Sequence, residues 1–223
     1  MGNFKIGVLA SGRGSDFQAL VDARDRGELG AEIALLVCNV PGAPVVARAE
    51  KAGVPVAVID HKGKTRQQFE EEAAAALRER GVELVVFAGF MRLVTPYFVS
   101  QFPNRILNIH PSLLPAFAGA HGIRDALAHG VKVSGLTIHF VDASLDGGPI
   151  VLQKAVPVTD DDSEETLAAR VLEWEHVMLP LAVRLLAEGR VTISGRKVTI
   201  NREGVALPSL AAGPESAAEW RGR

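Results

Sequence analysis

Cysteine is nearly absent from this sequence. The 223 residues contain one cysteine, Cys38, which excludes an internal disulfide and any metal site built from several thiolates. Cys38 ends the apolar run 33–38, so we expect a buried, inert thiol. Apolar residues make up 48% of the chain, which is ordinary for a globular protein with a full core.

Long apolar runs and a strong charge of one sign are also missing. No apolar stretch reaches about 18 residues, the length that suggests a membrane span, and no basic segment followed by an apolar signal region opens the chain. The net charge of −2 argues against a broad nucleic-acid surface but leaves room for a local phosphate pocket. We therefore expect a cytoplasmic protein without membrane or nucleic-acid partners.

Short apolar runs alternate with helical patterns in the first half of the chain. Strands are predicted over 4–10, 32–39, 54–59, 82–88 and 104–109. Between them lie helical patterns, and one of these, 65–80, opens with a capping box formed by Thr65 and Gln68. This alternation predicts an α/β fold with a doubly wound, mostly parallel sheet and helices on both faces.

The second half changes character. Strands 133–141 and 149–156 are separated by only seven residues, too few for a helical crossover, so they should pair antiparallel at a sheet edge. A helix is predicted from the acidic segment 160–165 to Glu188, followed by a hairpin over 191–200. We expect one domain, 1–207, with a phosphate-binding half (1–103), a catalytic half (104–207) and a disordered tail, 208–223.

A glycine-rich turn, Ser11–Ser15 (SGRGS), joins the first strand to the first helix. Strand, glycine turn and helix together aim backbone N–H groups at an anion, and Ser15 can cap the helix and donate to phosphate oxygens. The Gly-Lys-Ser/Thr of a Walker loop is missing, and Phe17 replaces the third glycine of a dinucleotide fingerprint. The pattern indicates either a phosphate site or a tight turn with an N-cap.

Asn108 and His110 end the fifth predicted strand, directly before Pro111. Being two residues apart in an extended backbone, their side chains leave on the same face. An amide donor beside an imidazole suits a carbonyl oxygen that gains charge, although a capping Asn and a core His would also explain the pair. Asp146, in the segment DASLDGG, is either a turn-forming residue or a carboxylate for the histidine.

Four motifs together resemble the folate-dependent formyltransferases. They are SGRGS at 11–15, AGFMRLV at 88–94, LNIHPSLLP at 107–115 and LDGGPIV at 145–151. Arg66, the pair Glu175–His176 and the short chain narrow the resemblance to enzymes that formylate a phosphoribosyl glycinamide. The resemblance covers about residues 5–202 and implies the formyltransferase fold and small-molecule substrates, with 10-formyltetrahydrofolate as co-substrate, no metal, and a monomer or homodimer.

The resemblance also assigns roles to residues. It implies a catalytic trio of Asn108, His110 and Asp146. Glycinamide ribonucleotide would contact Gly14, Ser15, Asp16 and Glu175. The folate site would be lined by Arg66, Met91, Arg92, Leu93, Val94, Asn108, Asp142, Ala143, Ser144, Leu145 and Asp146.

The expected chemistry fits these residue types. A primary amine attacks the formyl carbon and produces a tetrahedral centre with an anionic oxygen. Asn108 can donate to that oxygen, while protonated His110 stabilises it and passes a proton to the leaving folate nitrogen. Asp146 would favour the imidazolium form of His110. No nucleophilic residue is needed.

The sequence departs from the family pattern twice. Asp16 stands where the family often has Asn, and since a carboxylate repels phosphate, its side chain either points away or contacts the ribose. The segment 118–121 (AGAH) replaces the usual Pro-Gly before a histidine, which leaves the role of His121 open.

Four other functions share parts of this pattern. A formyltetrahydrofolate hydrolase would use the same trio with water, but normally carries a further N-terminal domain. A methionyl-tRNA formyltransferase carries a C-terminal RNA-binding domain, for which the 35 residues after Glu188 are too few. A dinucleotide oxidoreductase lacks support because Cys38-Asn39 ends the second strand without an acidic residue. A non-catalytic folate or nucleotide sensor is disfavoured by the filled trio.

Overall fold

The computed structural model describes residues 4–208, so the predicted tail lies outside the described residues except for Pro208. The elements are β1 (Lys5–Ala10), α1 (Ser15–Asp25), β2 (Glu32–Cys38), α2 (Pro44–Lys51), β3 (Val56–Val58), α3 (Arg66–Glu79), β4 (Leu84–Phe87), α4 (Pro96–Gln101), β5 (Ile106–His110), α5 (Gly122–Ala128), β6 (Val133–Phe140), β7 (Ile150–Pro157), α6 (Glu164–Ala187), β8 (Val191–Ser194) and β9 (Lys197–Ile200).

The strands form a seven-stranded sheet in the order β3-β2-β1-β4-β5-β6-β7 and a separate β8-β9 hairpin. β1 pairs in parallel with β2 and β4, and β4 with β5, while β6 and β7 are antiparallel. The predicted α/β fold with a mostly parallel sheet and an antiparallel edge is therefore confirmed. The described residues cluster into two compact units, 4–108 with 140–143 and 109–139 with 144–208.

The first unit is organised around β1 and β4, whose apolar side chains are completely buried. Such continuous burial is typical of parallel strands covered on both faces. Gly7 in β1 is required by close packing, since a Cβ there would lie 2.2 Å from Leu77 Cδ2 of α3. The predicted capping box is present, with Gln68 N donating to Thr65 Oγ1 and Thr65 N donating to Gln68 Oε1. Cys38 is buried and free.

In the second unit, β6 and β7 pair with each other and α6 supplies most of the buried apolar side chains. Gly135 of β6 allows the strands to approach, because a Cβ would lie 2.0 Å from Lys154 O. α6 starts later than predicted because Ser163 caps it, accepting from Thr166 N. The sequence analysis missed α5, a seven-residue helix that starts at a glycine and offers little helical periodicity.

β5 differs from its predicted bounds at both ends. It starts at Ile106 because Asn104 has a left-handed backbone with φ 56°, which a strand cannot accommodate. It continues to His110, so the histidine is part of the strand. Among residues 4–208, no helix is long and apolar enough to cross a membrane.

Candidate active site

The carboxyl end of β5 carries the Asn-x-His motif. Asn108 is paired in register with Phe87 of β4, and Ile106 and Leu107 anchor the strand in the core. His110 follows on the same face as Asn108 and is buried. Pro111, which has no N–H, then ends the strand. Polar side chains at the carboxyl end of a buried parallel strand lie where α/β sheets place their sites.

Both ring nitrogens of His110 face hydrogen-bond acceptors. Nδ1 lies 3.5 Å from Asp146 Oδ2, and Nε2 lies 2.8 Å from Phe117 O. Because a carbonyl oxygen only accepts hydrogen bonds, Nε2 carries a hydrogen. Gly122 leaves room for the ring, since a Cβ there would lie 3.3 Å from Nε2. The imidazole is therefore fixed in orientation by groups on opposite edges.

Asp146 lies between two histidines. Its Oδ2 also accepts a hydrogen bond from Gly119 N at 2.8 Å, and its Oδ1 lies 3.8 Å from His139 Nε2. Asp146 has a left-handed backbone with φ 48°, which this short polar residue tolerates in a turn. The turn therefore places a carboxylate 3.5 Å from His110.

The sequence analysis missed His139. This residue lies near the end of β6, next to a register irregularity between Ile138 and His139, and is buried. The available signal was the spacing Thr137-x-His139, which places two polar side chains on one face of an otherwise apolar strand.

A hydrogen-bonded loop follows His110. The hydroxyl of Thr137 accepts from Leu114 N at 3.0 Å and donates to Ser112 O at 2.7 Å. Gln153 Nε2 donates to Leu114 O at 2.9 Å. His121 is exposed and precedes α5, where its carbonyl accepts from Asp125 N. Side chains of β6 and β7 therefore hold the loop that leads to Phe117, whose carbonyl oxygen accepts from His110.

The glycine turn lies in the first unit and starts α1. Gly14 has φ 74° and is the N-cap, whereas Ser15 is the first helical residue and makes no capping hydrogen bond. The prediction that Ser15 caps the helix was therefore wrong, because the left-handed backbone at Gly14 moves the cap one residue earlier. α2 holds the turn, since Val45 N donates to Gly12 O and Arg48 Nε donates to Arg13 O.

Asp16 is turned into the protein. Its exposed fraction is only 8%, and burial raises the pKa of its carboxyl from 3.8 to about 6. Of the two predicted alternatives, a side chain that points away from the phosphate is compatible with this burial.

The predicted folate residues lie in four segments, one of which is β5 with Asn108. Arg66 is exposed at the start of α3. The segment after β4 exposes Met91 and Leu93 to 81% and 61%, and a third segment, Asp142 to Asp146, exposes Leu145. Met91 and Leu93, two apolar side chains exposed on the same short loop, mark that loop as a candidate binding surface.

Glu175 is buried in α6, beside Trp174. The Trp174 ring faces Lys154 of β7, whose Nζ lies 4.1 Å from the ring centroid, a favourable cation–π distance.

Among residues 4–208, no group of three or more His, Cys, Asp or Glu is placed to hold a metal ion.

Comparison with known proteins identifies the family. Residues 4–183 match the family model described as "Formyl transferase". The phosphoribosylglycinamide formyltransferase of Mycobacterium tuberculosis is 44% identical over 201 residues, covering 89% of this chain and 92% of that protein. The trifunctional purine biosynthetic protein adenosine-3 of Gallus gallus is also 44% identical, over 85% of this chain, but the chain spans only 19% of its length.

Solved structures agree with this assignment. Glycinamide ribonucleotide transformylase 1 from Symbiobacterium toebii is 47% identical with a TM-score of 0.87, covering 89% of this chain and 94% of that one. A formyltetrahydrofolate deformylase from Pseudomonas syringae pv. tomato has a TM-score of 0.84 but is only 26% identical, covering 89% of this chain and 66% of that one. By fold and by sequence, the chain belongs to the formyl transferase family.

Proposed function

We propose that this chain transfers the formyl group of 10-formyltetrahydrofolate to the primary amine of 5-phosphoribosyl-glycinamide. The products are 5-phosphoribosyl-N-formylglycinamide and tetrahydrofolate, and the reaction belongs to purine biosynthesis. The observation that carries the proposal is the placement of His110 against Asp146 at 3.5 Å, directly after Asn108 at the end of β5. The M. tuberculosis relative, whose name states this activity, supports the choice of acceptor.

The reaction requires one bond to form and one to break. The amine nitrogen attacks the formyl carbon, and the carbonyl oxygen becomes an anion in the tetrahedral intermediate. The carbon–nitrogen bond to folate N10 then breaks. The attacking amine loses a proton and N10 gains one, so no net proton is consumed.

Asn108 and His110 supply what this intermediate needs. The Asn108 amide donates a hydrogen bond to the developing oxyanion. His110 in its imidazolium form adds positive charge beside the oxyanion, and its Nδ1 hydrogen, which faces Asp146 at 3.5 Å, is the proton that passes to N10. Phe117 O accepts from Nε2 at 2.8 Å and Asp146 Oδ2 lies 3.5 Å from Nδ1, so a ring with hydrogens on both nitrogens suits both neighbours.

The substrates are assigned to the surfaces that suit their chemistry. The phosphate of the glycinamide substrate binds at Gly14 and Ser15, because the N-terminus of α1 presents backbone N–H groups there and its dipole attracts an anion. The buried Asp16 side chain supports the glycine turn from the protein interior, and Glu175 contacts the glycinamide group of the substrate. The folate pteridine contacts 91–94 and 142–146, and Arg66 pairs with its glutamate tail.

One observation is also compatible with a second function, hydrolysis of the formyl group. The deformylase from P. syringae shares the fold, and the same trio could activate transfer to water in place of an amine. The lower identity of 26% and the match to glycinamide enzymes at 44% favour the transferase.

A product assay distinguishes the two. Chromophore release from 10-formyl-5,8-dideazafolate is measured with and without the glycinamide substrate, and with His110→Ala as an inactive control. Release that depends on the glycinamide substrate supports the transferase. Release in water alone supports the hydrolase, and folate binding without any release supports a sensor.

A further inference from the structure

The segment Gly89–Thr95 exposes apolar side chains to solvent, although hydrogen bonds fix both ends of its backbone. Met91 and Leu93 are 81% and 61% exposed, whereas Phe90 and Val94 of the same segment pack against the core. Leaving such side chains exposed forgoes a stabilisation of the free protein. We call residues 89–95 the folate segment, because the proposed function assigns the pteridine to Met91–Val94.

Ser11 holds the start of the folate segment. Its hydroxyl accepts from Met91 N at 2.9 Å and donates to Asn39 Oδ1 at 2.7 Å. Ser11 N also donates to Gly89 O at 3.1 Å. Asn39 is buried, so the segment is tied through Ser11 to a fixed group at the end of β2.

Glu70 holds the other end. This residue of α3 is only 1% exposed, and its Oε1 accepts from Thr95 N at 2.7 Å while its Oε2 accepts from the Thr95 hydroxyl. A buried carboxylate is costly unless hydrogen bonds satisfy it, and both of these bonds go to one residue of the folate segment. The Arg92 guanidinium lies over the ring of the neighbouring Phe69, 5.4 Å from the centroid of that ring.

We propose that Glu70 is a positioning residue for the folate subsite. This inference rests on the proposed function. Glu70 fixes the end of the folate segment, Ser11 fixes the start, and the side chains between them are presented to the ligand without further ordering. A loop ordered before binding loses less conformational entropy when the ligand arrives, so the carboxylate contributes to folate affinity without touching folate.

Glu70→Ala tests the proposal, with Glu71→Ala as its matched control. Glu71 is the next residue of α3, and its exposed carboxylate accepts from Gln67 in the same helix. Losing a buried, charged hydrogen-bond partner should raise KM for 10-formyl-5,8-dideazafolate roughly tenfold in Glu70→Ala. KM for the glycinamide substrate should stay within about twofold, and Glu71→Ala should match wild type.

Two further variants separate positioning from general stability. Glu70→Gln should restore KM, because the amide oxygen accepts from Thr95 N and the amide nitrogen can donate to the Thr95 hydroxyl. Thr95→Val, which keeps the backbone N–H but loses the hydroxyl, should raise the folate KM by about threefold. It provides the test if Glu70→Ala does not fold. Hydrogen exchange at the Thr95 amide should accelerate in Glu70→Ala and stay unchanged in Glu71→Ala.

An unchanged folate KM in folded Glu70→Ala, or an equal rise in KM for both substrates, would overturn the proposal. A Glu70→Gln variant as impaired as Glu70→Ala would do the same. If wild type transfers no formyl group, the proposed function fails separately. Calorimetric binding of 10-formyl-5,8-dideazafolate then decides the role of Glu70, with about tenfold weaker binding in Glu70→Ala supporting it and equal binding refuting it.

Discussion

The Nδ1 atom of His110 faces Asp146 Oδ2 at 3.5 Å. The histidine belongs to a strand and the carboxylate to a turn with a left-handed backbone, so the two side chains meet only because both backbones are fixed. On the opposite edge of the ring, His110 Nε2 lies 2.8 Å from Phe117 O. The ring has little freedom to rotate, which favours proton delivery in one direction.

Removing a member of the trio should abolish most turnover. We expect Asn108→Ala, His110→Ala and Asp146→Ala each to fold and to lose roughly 10²–10³ in kcat, the usual cost of removing one oxyanion-stabilising group. Asp125→Asn is a suitable control, because Asp125 is a partly exposed carboxylate of α5 that pairs only with Arg124. Steady-state kinetics on folded variants, checked by thermal unfolding, measure the effect. Near-wild-type kcat in any variant would remove that residue from the trio.

His139 should contribute less than His110. It lies 3.8 Å from the second carboxylate oxygen, Asp146 Oδ1, and so acts on the reaction only through Asp146. We expect His139→Leu to lower kcat by up to about tenfold, because the carboxylate loses a polar neighbour 3.8 Å away, with KM for both substrates little changed. A loss as large as that of His110→Ala would show instead that His139 contacts the substrate.

The sequence predicted the fold and supplied the proposed catalytic trio, but not the groups that hold these residues in place. Alternating apolar runs and helical patterns are local signals, and the trio carried a family motif. Contacts such as Met91 N to Ser11 Oγ, 80 residues apart, and Thr95 N to Glu70 Oε1, 25 residues apart, leave no periodic pattern. His139 was missed although Thr137-x-His139 places two polar side chains on one face of β6, because its approach to Asp146 depends on a contact between separate segments.

Gly14 should be intolerant of a side chain. Its φ is 74° and a Cβ would lie 2.5 Å from Val45 Cγ2. A left-handed backbone alone costs a non-glycine residue about 1–2 kcal/mol, and the clash with α2 adds to it. We expect Gly14→Ala to lower the free energy of unfolding by at least this amount and to raise KM for the glycinamide substrate, because the N–H groups of the turn move.

Gly12 gives the matched control. It lies in the same turn, but a Cβ there meets no atom within 4 Å. Chemical denaturation of both alanine variants should therefore show a clear loss for Gly14→Ala and a small change for Gly12→Ala. Equal stability of the two would mean that the packing of α2 against the turn is not a constraint.

Asp16 should make stability depend on pH. Burial raises the pKa of its carboxyl from 3.8 to about 6, so the folded state holds the proton more tightly than the unfolded state does. Its favourable contribution is complete below pH 3.8 and is lost as pH rises through about 6. The rise in pKa corresponds to about 3 kcal/mol.

Asp16→Asn should remove this dependence, because an amide does not ionise. We expect the variant to be about 2–3 kcal/mol more stable than wild type at pH 8, with the gain disappearing near pH 4. Asp22→Asn, on the same helix but exposed, should change stability little at either pH. Urea unfolding at both pH values measures the difference. If Asp16→Asn stabilises the protein equally at pH 4 and pH 8, the gain comes from packing and not from removing the ionised carboxylate, because wild-type Asp16 is ionised only at the higher pH.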